Sequence, residues 1–136
     1  MIVAIVSMMI QVLSLVIVCG LFGCEALGQT PEGEAARIQQ AVDEYGKAMD
    51  CEDRTQRLAC FARAAQLFQQ IIEGDENRAP VVNADLYVNM ANAALQAEQL
   101  GPAIAGYRRA VLLKPQHEQA WQNLRYARSL LPDWVR

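Results

Sequence analysis

The fold is decided by residues 84–117, which read ADLYVNMANAALQAEQLGPAIAGYRRAVLLKPQH. Ala, Leu, Gln, Glu and Arg, all good helix formers, dominate this stretch. Gly101-Pro102 divides it in two, because proline suits the first turn of a helix and disrupts a helix interior. Pro115 ends the second half. The stretch therefore predicts two helices joined by a tight turn, the second running to Leu113.

Both of these helices recur elsewhere in the chain. A shift of 34 residues superposes Tyr87, Asn89, Met90 and Ala93 on Trp121, Asn123, Leu124 and Ala127. A shift of 39 residues superposes Ala64, Phe68 and Ile71 on Ala103, Tyr107 and Ala110. Two helix types thus alternate in the order A-B-A-B-A, which is the signature of a repeat architecture.

This pattern resembles the tetratricopeptide repeat, a helix pair marked by an aromatic residue, a Leu-Gly position, small residues and a closing proline. Those positions are filled here, in order, by Tyr87, Met90, Ala91, Ala103, Tyr107, Ala110 and Pro115. The resemblance implies an all-α fold of antiparallel helix-turn-helix repeats stacked as a short right-handed α-superhelix. It divides residues 34–136 into a divergent repeat (34–83), a full repeat (84–117) and a capping helix (118–136).

Outside the full repeat, the helical spacing of apolar residues predicts three more helices. The first covers about residues 34–49, and its apolar stripe comprises Ile38, Ala41, Val42 and Tyr45. The second covers residues 54–73 and ends at Gly74, and its stripe comprises Phe61, Ala64, Ala65, Phe68, Ile71 and Ile72. The last covers about residues 118–131. Asn83 or Asp85 caps the third helix of the chain, which we expect to run to about Glu98.

The first copy of the repeat is longer than the second. Ile38 and Tyr87 stand 49 residues apart rather than 34. We expect about ten of the extra residues at a turn between Cys51 and Cys60 and about five in the loop around Pro80. The register of the first helix is therefore open.

Residues 1–28 are typical of an export segment, because Ile2 to Gly23 carries no charge and is long enough to cross a bilayer. Three fates are open. Small residues ahead of Gln29 favour cleavage there by a signal peptidase. The segment is otherwise retained as a membrane anchor, or Cys24 is lipidated, since Leu21-Phe22-Gly23-Cys24 resembles a bacterial lipobox. Residues 29–33 form a short polar linker.

An export segment followed by a short repeat array ending in Asn-Leu-Arg-Tyr-Ala-Arg is similar to the small exported tetratricopeptide proteins of bacterial aerotolerance operons. This resemblance implies an exported protein of the bacterial periplasm or cell envelope. It also implies contact with the membrane through residues 1–28 if these are retained or lipidated.

The charge of the chain is divided between its two ends. The net charge is -3, from 12 basic and 15 acidic residues. Residues 25–98 hold 13 acidic and 6 basic residues, whereas residues 99–136 hold 2 acidic and 6 basic residues. A nucleic-acid-binding domain needs a broad basic face, so we expect no nucleic-acid partner. The basic end, with Arg108, Arg109, Lys114, Arg125 and Arg128, suits an acidic protein or anionic lipid headgroups.

Cys51 and Cys60 are the two cysteines downstream of the export segment. An oxidising compartment permits a disulfide between them, closing a loop of about ten residues and stabilising the fold by about 2–3 kcal/mol. Two small apolar residues near a helix turn explain the same pair without a bridge. Spacing does not decide between these alternatives.

Residues suited to catalysis are scarce. His117 is the single histidine, and it follows Pro115 in a turn where a polar surface residue is expected. Two cysteines and one histidine fall short of a structural zinc site, and the chain has no glycine-rich phosphate loop. We therefore expect a protein that is not an enzyme and uses neither metal nor cofactor.

The repeat resemblance implies a concave groove lined by helix A residues that do not pack inward. These are Asp85, Val88, Asn89, Asn92, Leu95, Gln96, Gln119, Gln122, Asn123 and Tyr126. Amide side chains both donate and accept hydrogen bonds, which suits the backbone of an extended peptide or a partner helix. Ordinary solvent exposure explains the same residues without a partner. The two functions left open are a protein-protein interaction scaffold and a structural subunit of a membrane-associated complex or homo-oligomer.

Overall fold

The computed structural model describes residues 31–135, and every regular element in that range is helical. The elements are α1 (Pro31–Asp50), α2 (Arg54–Glu73), α3 (Ala84–Gln96), α4 (Leu100–Leu113), α5 (Glu118–Ser129) and a short 3-10 helix (Asp133–Val135). Each α-helix packs against the next one in the chain. The prediction of an all-α fold is confirmed.

The ends of α2 follow from two side-chain properties. The carboxylate of Asp53 accepts a hydrogen bond from the backbone N–H of Gln56 at 2.7 Å, which satisfies a free donor of the first turn. Gly74 ends the helix in a backbone conformation with φ of 69°, and its N–H donates to the Gln70 carbonyl. A Cβ at Gly74 would overlap the Arg78 carbonyl oxygen, so only glycine fits this turn.

Side-chain caps also set the starts of α3 and α5. Asn83 caps α3, accepting from the N–H groups of Asp85 and Leu86, so Asn83 rather than Asp85 is the capping residue. His117 caps α5, its ring accepting from the N–H of Ala120 at 3.3 Å. The third helix ends at Gln96, two residues before the predicted end, because the chain turns through Glu98 with φ of 61°.

Residues 31–83 are longer than residues 84–117 in both helices and in the loop around Pro80, where residues 74–83 correspond to residues 114–117. The extra length of that loop is as predicted, whereas the long turn expected between Cys51 and Cys60 is wrong. Helices α1 and α2 have 20 residues each, against 13 in α3 and 14 in α4. Only residues 51–53 separate α1 from α2, and Cys60 lies inside α2 because Asp53 caps that helix. Helix α1 begins at Pro31, a residue suited to a first turn, so residues 31–33 of the expected linker are helical.

The core is built largely from small side chains. All six residues of the predicted α2 stripe are buried. In the full repeat Ala91, Ala103, Tyr107 and Ala110 are fully buried in one cluster. The α1 stripe is only partly internal, since Ala41 is fully buried but Val42 is 45% exposed. Small residues let neighbouring helices approach closely.

Gly106 marks the closest approach of α4 to α3. A Cβ placed there would lie 2.9 Å from the Cβ of Ala91 and 3.3 Å from the carbonyl oxygen of Tyr87. Both distances are shorter than ordinary carbon-carbon and carbon-oxygen contacts. Helices α3 and α4 therefore pack backbone against backbone at this point, and this fixes the position of the α3 face described below.

The predicted export segment, residues 1–28, lies outside the described residues. Among the helices of residues 31–135, none combines the length and apolar character needed to cross a membrane.

Candidate partner-binding groove

Four of the predicted groove residues form one stripe along α3. Asp85, Asn89, Asn92 and Gln96 follow one another at spacings of four, three and four, which places them on the same face of the helix. Asn92 is half-buried and the other three are exposed. This stripe is the part of the prediction that fits a solvent-facing surface.

Val88 and Leu95 do not belong to that surface. Val88 is 3% exposed and belongs to the main core cluster, so its predicted role in the groove is wrong. Leu95 is half-buried and packs against the same cluster. Both residues lie at the edge of the stripe, where the rotation of the helix turns a side chain toward the core.

A cleft of about 230 Å³ opens between α1 and α3. Val42 and Tyr45 of α1 form an apolar wall, Phe68 of α2 lies between the two helices, and Asn89 and Asn92 of α3 supply amide groups. The ring of Tyr45 packs edge-on against Phe61 with centroids 5.0 Å apart. The cleft thus joins a fixed apolar surface to hydrogen-bonding groups. We call this cleft, together with the exposed α5 residues Gln119, Gln122 and Tyr126, the amide groove.

The apolar wall of the amide groove was missed by the sequence reasoning, which placed Val42 inside. Adjacent residues of α1 differ sharply, since Ala41 is fully buried whereas Val42 is 45% exposed. Ile38, Val42 and Tyr45 are all apolar, so the spacing of apolar residues does not show which of them faces the cleft.

A hydrogen-bond network fixes the amide of Asn92. Its Oδ1 accepts from the hydroxyl of Tyr107 at 2.7 Å and from Nδ2 of Asn123 at 2.9 Å. Since both donors converge on one oxygen, the amide is oriented and its Nδ2 makes no hydrogen bond to residues 31–135. The network links α3, α4 and α5. It leaves Asn92 with a donor at the cleft.

Burial raises the pKa of Tyr107 to about 12, from 10.0, although the neighbouring amide of Asn123 acts in the opposite direction. Burial also raises the pKa of Tyr45. Both phenols therefore remain neutral over the physiological range. The network around Asn92 contains no charged group.

The face of α5 continues the amide groove. Gln119, Gln122 and Tyr126 are exposed on the same side of the helix as Asn123. Asn123 is half-buried, since its side chain is bonded to Asn92. The repeated asparagines are therefore not equivalent, because Asn89 is exposed and Asn123 holds two helices together.

The one carboxylate of the predicted set is already paired. Asp85 of α3 lies 2.9 Å from Nε2 of His117, whose ring also caps α5. The side chain of His117 is only 10% exposed, so it is not the surface residue expected from the sequence. Its two contacts join the start of α5 to α3. Little unpaired charge remains along the amide groove.

No disulfide joins the two cysteines of the described residues. Cys51 and Cys60 are both free thiols, and Cys51 Sγ lies 3.5 Å from the carbonyl oxygen of Asp53. Within residues 31–135, no three His, Cys, Asp or Glu side chains are grouped to hold a metal ion.

No protein-family model, curated protein or solved structure matches the chain. The function is therefore inferred from the geometry of the groove.

Proposed function

We propose that this chain is a non-enzymatic scaffold that binds a peptide or a segment of another protein in the amide groove. The observation that carries the proposal is the cleft between α1 and α3, where an apolar wall faces the oriented amide of Asn92. A peptide backbone carries one donor and one acceptor at most residues, so its carbonyl groups can accept from Nδ2 of Asn92, while the exposed amide of Asn89 can donate or accept. One apolar side chain of the partner lies against Val42 and Tyr45.

The size of the cleft favours a protein segment over a small metabolite. At about 230 Å³ it is smaller than typical small-molecule pockets, which hold about 300–1,000 Å³. A volume of this size suits one or two side chains of a longer ligand. The remaining affinity comes from the exposed amides and Tyr126 along α3 and α5.

We propose further that the helices form a tetratricopeptide-type array of the bacterial cell envelope. Support comes from the small residues of the repeat pattern, since Ala91, Ala103 and Ala110 are all fully buried. Tyr107 is fully buried as well, and Pro115 directly follows the end of α4. The similarity to exported proteins of aerotolerance operons suggests the periplasm as the compartment.

Site-specific photo-cross-linking in cells tests the groove directly. A photoreactive amino acid at Asn89 in the full chain is expected to give one dominant cross-linked product with a partner protein. The matched control carries the same group at Gln66, which is exposed on α2. Equal products from both positions, or none from Asn89, would contradict the proposal. A product of twice the mass of the chain would support the structural or homo-oligomeric alternative.

A further inference from the structure

A second, largely apolar groove lies between α4 and α5, formed by other residues than the amide groove. It has a volume of about 480 Å³, and its lining includes Ile104, Leu112, Trp121 and Leu124. Leu112 is 72% exposed and Trp121 is 45% exposed. We call it the terminal groove. Large apolar side chains exposed together are characteristic of an interaction surface.

The corresponding surface of the preceding repeat is covered by a helix. At a shift of 34 residues, Trp121 and Leu124 correspond to Tyr87 and Met90 of α3. Helix α4 lies over those two residues, since a Cβ at Gly106 would come within 2.8 Å of Met90 Cε. The terminal groove therefore has the position at which the next helix of the array would pack.

The charge of the terminal groove indicates what kind of helix fits it. Arg128 takes the place of Ala94 of α3, which is fully buried. Arg108 lines the opposite wall, and no acidic residue lines the groove. A covering helix would desolvate these guanidinium groups, which is costly unless an acidic side chain pairs with them. The occupant must therefore combine an apolar stripe with an acidic residue.

The side chain of Trp121 is held in position before binding, so it can anchor this contact. Its indole N–H donates to the carbonyl oxygen of Pro115 at 2.8 Å, which fixes the ring in the groove. An aromatic ring held before binding loses little conformational freedom on association.

The described helices of residues 31–99 of a second copy are poor occupants. The large apolar side chains exposed in residues 31–99 are Val42, Met49 and Val82. Val42 lines the amide groove, and the three do not form a continuous stripe on one helix. No described helix of this region thus offers a free apolar face with an acid beside it.

We propose that the terminal groove binds an acidic amphipathic helix of a partner protein, which packs on Trp121 and Leu124 and pairs a carboxylate with Arg128. This is the helix-in-groove mode of recognition. It does not depend on the amide groove, and it assigns a function to the basic end of the chain.

A designed peptide serves as the probe. It has the sequence of residues 100–113, the helix that covers the equivalent surface of α3, with blocked ends and with Arg108→Gln and Arg109→Gln. Gly106 of α4 lies against Ala91 of α3. One turn closer to the α3–α4 connection, the fully buried residues are Ala103 on α4 and Ala94 on α3, so we expect these two to face each other. The acidic peptide therefore carries Ala103→Glu, opposite the place of Arg128. The control peptide carries Ala103→Gln.

Binding is followed by the fluorescence of Trp121 in the full chain carrying Trp134→Phe, held in a neutral detergent. We expect saturable binding of the acidic peptide, about tenfold tighter than the control peptide. Arg128→Gln should remove the difference between the peptides, whereas Arg63→Gln on α2 should preserve it. If Arg128→Gln lowers the helical content of the chain, Arg108→Gln replaces it.

Four results would overturn the proposal. The first is the absence of a saturable signal with the acidic peptide up to about 1 mM. The second is equal affinity for the two peptides. The third is a signal with vesicles of phosphatidylglycerol that Arg128→Gln abolishes while neither peptide binds, which would assign the surface to anionic lipid instead. Sedimentation showing a dimer that Trp121→Ala dissociates would equally overturn it in favour of self-association.

Discussion

The close packing of α3 and α4 predicts an unusual effect of adding a single methyl group. Gly106 lies inside α4, where Gly106→Ala would normally stabilise the helix by about 0.8–1.0 kcal/mol. Here the new Cβ would meet Met90 Cε at 2.8 Å and Ala91 Cβ at 2.9 Å. The end of Met90 can move, but the Cβ of Ala91 is attached to the backbone of α3. The clash is relieved only by separating the two helices.

The steric cost should exceed the gain in helix propensity. Overpacking of a core typically costs about 1–3 kcal/mol, so the free energy of unfolding should fall by about 1 kcal/mol in Gly106→Ala. Gly46→Ala is the matched control, because Gly46 lies inside α1 and a Cβ there would meet nothing within 4 Å. That variant should gain up to about 1 kcal/mol.

Denaturant unfolding of the full chain in a neutral detergent, followed by circular dichroism, measures both changes. The two variants should differ by about 2 kcal/mol, which corresponds to melting temperatures about 8–16 °C apart for a domain of this size. A Gly106→Ala variant as stable as Gly46→Ala would refute the close contact between α3 and α4.

Four further predictions follow from the packing and the hydrogen bonds. Ala103→Leu, at a fully buried position, should cost about 1–3 kcal/mol by overpacking, and a melting temperature equal to wild type would show that the helix register is wrong. His117→Ala should cost about 1 kcal/mol through loss of the α5 cap, measured in the same melts, and no change would contradict that capping role. Because the pKa of Tyr107 is raised from 10.0 to about 12, the folded chain binds the phenolic proton more tightly than the unfolded chain. The stability that this buried phenol contributes is therefore complete below pH 10 and is lost as the pH rises toward 12. In Tyr107→Phe the free energy of unfolding should fall less over this range. Parallel curves of that free energy against pH for the two proteins would contradict this prediction. A chain beginning at Gln29 should keep a helical circular dichroism spectrum, since every repeat position follows Gly28, and a coil spectrum would contradict this.

The second helix was predictable in full because its local signals agree with its packing. Its apolar residues recur at helical spacing, and Gly74 is the only residue type that fits its end. The boundaries of the other helices were within a few residues of those predicted. Capping and turn residues act over three or four positions, so the sequence displays them directly.

The groove was harder to predict, since exposure depends on how the helices are rotated against each other. Val88 and Val42 are the same residue type on two helices that the repeat pattern predicts to be equivalent, yet one is buried and the other lines the cleft. The contact of Asp85 with His117 joins residues 32 positions apart, and spacing alone does not show such a pair. The register of α1 determines which of its residues face α3, and no local signal fixes that register.

The central claim, that a protein partner binds in the amide groove, is tested by the affinity of the cross-linked partner for two variants over a range of salt. Asn89→Ala removes an exposed amide and leaves the Asn92 network intact, so binding should weaken about fivefold, as expected for one lost hydrogen bond. Because Asp85 is paired and the other groove residues are uncharged, affinity should change little between about 50 mM and about 500 mM salt. An affinity that collapses with salt and with Arg108→Gln and Arg109→Gln, but is unchanged in Asn89→Ala, would contradict the claim.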